Sequence, residues 1–380
     1  MHDRMKSSKK LIATAATLIV AATGTIGASA REGGTTEAGA RSELTVTAAV
    51  AKSSDFTADF KTEAVTPQAA GKPAGYCKQP NPMTTAVNRT MDCYHMDIKV
   101  DVKRNGRLVG SASFTSWHEI HLNLKKVKWS EKITVSKATI VGDARGISTS
   151  FHPSCRSGCQ VRAGGNLARP FTLGAARTGS ADHTFTVSKG HPRSSNTRYE
   201  FSFKKPGYSS GETAYVGSTY RCDDEDRQYG AGCVYPTRMS VEKDWTKLSD
   251  MANLPGIGDN IRKVQRAGLK IGYPGSKVPL TRATKAKATE NRKEVCGPDV
   301  RPAPGDIWWT VDPGDDGTKP SCDEYPFAET TQGGNTYNPP NRAIKWVPLK
   351  ENRTQGGIIR TFFGRYHILP GDKFYVQAGA

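Results

Sequence analysis

Eight cysteines constrain this chain more than any other feature: Cys77, Cys93, Cys155, Cys159, Cys222, Cys233, Cys296 and Cys322. They fall in four sequential pairs, and an even number in an exported chain implies disulfides, which persist only in oxidising compartments. The grouping favours four local bridges, 77–93, 155–159, 222–233 and 296–322. Cys155-x-x-x-Cys159 has a tolerable zinc spacing, but no second close Cys/His pair completes four ligands.

All eight follow a segment that marks export. Arg4, Lys6, Lys9 and Lys10 precede an apolar run from Leu11 to Ile26, and Ala28-Ser29-Ala30 gives the small-x-small pattern of a signal-peptidase site. Residues 1–30 are therefore expected to be a signal peptide. The mature protein is then secreted and extracellular, with no stable membrane association after cleavage. The run is Ala- and Thr-rich, whereas a spanning helix needs about 20 strongly apolar residues. Its being the single long apolar stretch excludes a polytopic membrane protein. Removing Asp3 and the four N-terminal cations lowers the formal net charge from +18 to +15. A surplus of that size on the mature chain points to polyanions as partners.

Residues 31–75 are rich in Ala, Thr, Gly and Ser and are expected to be a flexible leader, pro-segment or linker. From 76 to 245 the pattern is strand-like. Asp97 to Lys103 alternates strictly, with Ile98, Val100 and Val102 on one face, and Asn105-Gly106 follows as a tight hairpin turn. Similar alternation at 120–124, 183–187 and 199–203 predicts an antiparallel sandwich or meander. Beyond 245 the texture changes. Val241–Ala252, Ile261–Ala267 and the basic segment Leu280–Val295 are expected as helices, and Phe374-Tyr375-Val376 as a closing strand. The fold class is α+β, a β-rich region at 76–245 followed by a small α+β domain at 246–380.

Three motifs have bland readings. Gly207-x-Ser209-x-Gly211 lies between strand-like segments and is expected as a hairpin turn, since a serine-hydrolase elbow needs a strand before it and a helix after it. His118-Glu119-Ile120-His121 spaces its histidines three apart in an alternating segment, which puts them on opposite faces of a strand. Leu254 to Ile261 has the glycine turn of a helix-hairpin-helix element, but a single match also fits an ordinary helix connection. Arg282, Lys285, Lys287, Arg292 and Lys293 fit a solvated helix face or phosphate contact.

Chemistry concentrates near the C-terminus. Cys322-Asp323-Glu324-Tyr325-Pro326-Phe327-Ala328 joins adjacent carboxylates to a Pro-aromatic stretch and precedes Gln332-Gly333-Gly334. Glu351-Asn352-Arg353 and Gly356-Gly357 follow, then an aromatic and basic run from Arg360 to Arg365. Carboxylates and an amide carbonyl suit hard cations, a further carboxylate can deprotonate water, and arginine can hold a phosphate oxygen.

These residues, with the closing His367 to Val376, resemble the NucA/NucB family of secreted bacterial deoxyribonucleases over about 296–380, and more faintly back to Tyr273. The resemblance implies a compact domain similar to the ββα-metal nucleases and endonucleolytic hydrolysis of DNA with Mg²⁺ or Mn²⁺. It implies Asp323 as general base, Glu324 as metal ligand or supporting carboxylate, Asn352 as metal ligand and Arg353 as catalytic phosphate contact. Lys345, Arg360 and Arg365 are further cations expected to hold DNA. The chain departs from several relatives at Gln332 and Val278. The alternative function is a non-catalytic secreted DNA- or wall-polymer-binding protein, or a toxin-like effector. No role for 76–245 follows from the sequence.

Overall fold

The computed structural model describes residues 42–49, 89–156, 158–226, 228–242 and 254–378. The expected signal peptide, most of the 31–75 leader, Cys77 and most of the helix expected at 241–252 lie outside those residues. The β-rich part comprises β1 (Ser42–Ala49), β2 (Met91–Arg104), β3 (Arg107–His121), β4 (Lys128–Val135), β5 (Thr139–Gly142), β6 (Ser148–Cys155), β7 (Cys159–Gly165), β8 (Phe171–Thr172), β9 (Arg177–Phe185), β10 (Arg193–Ser195), β11 (Thr197–Lys204), β12 (Gly211–Val216), β13 (Tyr220–Asp223), β14 (Gly232–Val234) and β15 (Ser240–Glu242). Then come α1 (Pro255–Gln265), β16 (Leu280–Thr281), α2 (Lys285–Cys296), β17 (Pro320–Tyr325), β18 (Ala343–Pro348), α3 (Leu349–Arg365) and β19 (Lys373–Val376).

The predicted alternation holds. Ile98, Val100 and Val102 of β2 are buried while Asp97 and Lys99 are exposed. Asn105 and Gly106 close the β2–β3 hairpin with φ of 51° and 74°, the left-handed pair that matches strand twist. One sheet runs β1-β2-β3-β4-β9-β7 with β5 also on β3, and a second runs β12-β11-β6-β8, every pairing antiparallel. Ile98, Val100, Phe114 and Ile133 of the first sheet share a core with Phe151, Phe201 and Phe203 of the second. Phe114 meets Phe201 edge-on at 5.7 Å. The region is thus β-rich and antiparallel, built on this apolar core and a second cluster that includes Ile120, Trp129, Phe185, Tyr220 and Tyr235.

The leader expectation is corrected at Ser42–Ala49. This segment pairs with β2 along its length, Leu44 opposite Val102 and Val46 opposite Val100, and Leu44 joins the core. Its alternation of Leu44, Val46 and Ala48 with Glu43, Thr45 and Thr47 is a strand pattern that the Ala/Thr composition obscured. Two helix expectations change as well. Val241 lies in β15, and the basic helix begins at Lys285 because Thr284 caps it, its hydroxyl accepting the Lys287 N–H at 3.3 Å. Leu280 instead pairs with β19 and is fully buried. In α2 only Ala288, Asn291 and Val295 are buried, so its lysines and Arg292 line the solvent side.

Two of the three bland motif readings hold, while Leu254–Ile261 is not a connection between helices but the start of α1 itself. His118 is buried while His121 is exposed on the same strand, and 207–210 connect β11 to β12 with Gly207 at φ +78°. Disulfides join 155–159, 222–233 and 296–322 as expected, and Cys93 is disulfide-bonded too. The 77–93 pairing lies outside the described residues because Cys77 does. Among those residues no helix is long and apolar enough to cross a membrane.

The C-terminal part packs around its own cluster, including Ile257, Ile261, Leu280, Tyr325, Val347, Phe362 and Phe374. Two features tie it to the β-rich part. Strand β15 pairs in parallel with β19, Ser240 opposite Phe374. Beside it, Asp372 receives Arg89 and Arg221, while His367 Nδ1 bonds Asp223 Oδ1 at 2.7 Å and Nε2 meets Leu124 O at 2.8 Å. All five of these charged side chains are buried, so the two parts meet through a satisfied polar interior.

Candidate active site

Three elements build the site, β17, β18 and α3. The strands form a two-stranded antiparallel hairpin in which Asp323 lies opposite Lys345, and α3 begins directly after β18. Helix α1 packs against both strands and α3. Side chains alternate across a strand, so neighbouring Asp323 and Glu324 take opposite faces. Their surroundings confirm it. Ser321, Asp323 and Tyr325 contact α1 and α3, while Cys322 is bonded to Cys296 at the end of α2 and Glu324 faces that helix.

Asp323 is 2% exposed. Its Oδ2 accepts the Asn260 Nδ2–H at 2.8 Å, and the same amide lies 3.3 Å from its carbonyl oxygen. Burial pushes the carboxyl up to about 7 against the help of Asn260 and Gln355, and the Glu351 charge adds to the rise. Glu351 and Gln355, four apart on α3, sit on the buried side of the helix. Glu351 Oε1 accepts the Ile257 N–H at 2.8 Å and so caps the start of α1, whose own N-cap residue, Leu254, makes no side-chain bond. Burial raises the Glu351 carboxyl as well.

Asn352 is half-buried. Its Nδ2 donates to Ser321 Oγ at 2.9 Å and to Cys322 O at 3.0 Å, which turns the carbonyl oxygen away from β17. Lys345 shares the Asp323 face; its Nζ bonds Asp259 Oδ2 at 3.1 Å and lies 5.5 Å from the Trp308 ring centre. That indole is 47% exposed and donates to Trp346 O at 3.2 Å.

The structure thus gathers Asp323, Asn352 and Lys345, and separates the rest. Glu324 lies across β17, with its carboxyl pushed up to about 8 by burial and by the Asp323 charge. Arg353 is exposed and bonds Asp316 Oδ2 at 3.2 Å. Two residues from Glu351, it points to the outer side of the helix at about 100° per residue, and Arg360, seven further, shares that side. Arg365 is exposed at the far end of α3, its guanidinium 5.6 Å from the Tyr366 ring centre. These three arginines line the helix surface and do not touch the Asp323 cluster.

Sequence reasoning missed four residues: Asn260, Glu351, Gln355 and Trp308. The i, i+4 pair 351/355 was a signal in plain sight. Asn260 lies within the 254–261 motif, which forms the first turns of α1 and brings this amide to Asp323. Trp308 carried no spacing signal.

No curated protein matches the chain. Residues 268–377 match the family described as Deoxyribonuclease NucA/NucB. The match begins after α1, so Asn260, which holds the Asp323 carboxylate, lies outside it. A domain of this family supports deoxyribonuclease activity on DNA, and such nucleases generally depend on a divalent metal. Over residues 268–377 the chain is thus similar to the Deoxyribonuclease NucA/NucB family.

Proposed function

We propose that this chain is a secreted, metal-dependent endodeoxyribonuclease with Asp323 as the general base. The observation that carries this reading is the pairing of one buried carboxylate, Asp323, with one outward amide carbonyl, Asn352, on a hairpin and the helix that follows it. The order strand, strand, helix supports the likeness to ββα-metal nucleases.

Among the described residues no group of three or more His, Cys, Asp or Glu side chains could hold a metal. The donors on the Asp323 face are all oxygens, which fits Mg²⁺ or Mn²⁺ held largely by water and substrate phosphate. Asn352 is the residue that would hold the ion there; Glu324 faces the other way. The ion would neutralise charge developing on the scissile phosphate.

The chain's own residues do the rest. A carboxyl near 7 is ionised enough at neutral pH to take a proton from an attacking water and basic enough to keep it. Asn260 fixes the carboxylate's direction. Lys345 places a positive charge on the same face, and the exposed arginines of α3 would gather DNA by counterion release. Disulfide bonding of every described cysteine supports export to an oxidising compartment.

Incubating the mature protein with supercoiled plasmid in Mg²⁺ or Mn²⁺ tests this. The expected result is metal-dependent nicking that Asp323→Ala abolishes. Salt-sensitive DNA binding without cleavage in either metal would overturn the reading and favour a non-catalytic binding protein.

A further inference from the structure

The carboxylate left on the other face of β17 is buried without a geometric hydrogen bond. Glu324 is 7% exposed, and neither Oε1 nor Oε2 meets a hydrogen-bond partner. A second unsatisfied oxygen lies by the turn at Gly334. Asn291 of α2 is fully buried and donates its Nδ2 to Ala328 O at 2.9 Å and Thr330 O at 2.8 Å. Two carbonyl acceptors fix that amide's orientation, which leaves Oδ1 pointing elsewhere, also unpartnered.

Both groups converge on Gly334. Its N–H faces the Glu324 carboxylate without reaching hydrogen-bond geometry. A side chain there would sit 2.8 Å from Asn291 Oδ1 and 2.5 Å from Glu294 Oε2. Gly334 has φ +64°, a backbone that favours glycine, and the missing side chain keeps this space open. Glu294 is exposed and accepts the Asn335 N–H at 3.0 Å. The cation nearby, Arg292, is engaged by Glu329 at 2.7 Å. A buried carboxylate and a buried carbonyl, both unpaired, each carry a desolvation cost that a bound cation would remove.

We propose that Glu324, Asn291 Oδ1 and Glu294 form a site for a divalent cation, chemically suited to Ca²⁺, across β17 from Asp323. Two carboxylates and a neutral carbonyl, completed by water, match the irregular oxygen shells that Ca²⁺ accepts. The ion's role is to pin α2 and the turn around Gly334 onto β17 near the 296–322 disulfide. The proposal does not rest on the nuclease reading, because none of its ligands shares the Asp323 face.

The test is thermal unfolding of the mature chain, stripped with chelator and titrated with CaCl₂. A saturable rise in Tm is expected, since a ligand that binds only the folded state stabilises it. Glu324→Gln should abolish the rise. Glu294→Gln, at an exposed position that keeps its acceptor for Asn335, should raise the half-saturating Ca²⁺ concentration by roughly tenfold. Asp323→Asn should leave the response intact. A wild-type Tm indifferent to Ca²⁺ would overturn the proposal. So would a rise that survives Glu324→Gln or disappears with Asp323→Asn. A Tm that ignores Ca²⁺ but falls as pH rises would assign a shared proton, not a cation, to Glu324 and Asn291, and would equally overturn it.

Discussion

Arg221 grips Asp372 through two N–H bonds, Nη1 to Oδ1 and Nη2 to Oδ2, each 2.8 Å long. The pair joins β13 of the β-rich part to the turn before β19, and Arg89 adds a further contact to the same carboxylate. Asp372→Ala would leave two buried guanidiniums facing each other without their shared anion. Removing one partner of a buried pair costs about 3–5 kcal/mol. Urea unfolding should show a loss of that size; a loss under about 1 kcal/mol would mean that the carbonyls of Tyr366 and His367 already satisfy the arginines.

The same boundary predicts the behaviour of the matched segment alone. Residues 268–377 lack β15, which pairs with β19, α1, which covers the hairpin, and both arginines that hold Asp372. Expressed alone, the segment should fail to give a cooperative thermal transition, whereas the chain from 42 onward, which keeps β1, should give one. A cooperative melt from 268–377 by itself would show that the β-rich region is an accessory.

Much of this architecture was legible and some was not, for physical reasons. Period-two alternation around Ile98 and Phe201, and the Asn105-Gly106 turn, are local signals and read directly. The 296–322 bridge followed from sequence order alone. β1 was hidden by composition, because an Ala/Thr strand alternates as faithfully as a Val/Ile one but looks like linker. Asp323 and Glu324 read as one acidic site because they are adjacent, yet adjacency on a strand separates them. Asn260 and Asp372 take their roles from partners 63 and 151 positions away, Asp323 and Arg221, which no local pattern can announce.

His367 makes part of the boundary sensitive to pH. Burial works against its charge, but the Asp223 carboxylate outweighs burial and the pKa ends above 6.5. A histidine raised on folding contributes stability that is complete below its unfolded value and lost as pH rises through the folded one. Unfolding free energy should therefore fall as pH rises from about 6.5 through the folded pKa, and Asp223→Asn should flatten that slope. A slope unchanged in Asp223→Asn would assign it to another group.

Asn260 should tune the chemistry without touching DNA. Its N–H stabilises the charged form of Asp323, so Asn260→Ala should raise a carboxyl that already sits at about 7. The acid limb of the plasmid-nicking pH profile should move to higher pH, with activity recovering as pH increases. Asn260→Asp tests the same point from the other side, since a second negative charge would also raise it. A uniform loss at every pH would reduce Asn260 to a packing role.

Trp308 offers the site a flat surface. Its ring is nearly half exposed, Lys345 lies over it, and Trp309 supports it edge-on at 5.4 Å. The placement beside the site follows from Gly256: a side chain there would meet Trp308 at 3.0 Å and Glu351 Oε1 at 3.4 Å, so the indole borders the carboxylate group of α3. An exposed indole next to a cation is what an unstacked base uses, and such stacking is worth about 1–3 kcal/mol. Trp308→Ala should then raise KM for single-stranded DNA roughly tenfold with kcat little changed, while the intrinsic fluorescence change on adding oligothymidylate shrinks. An unaltered KM and an unaltered fluorescence response would leave the ring as a cover for the start of α1.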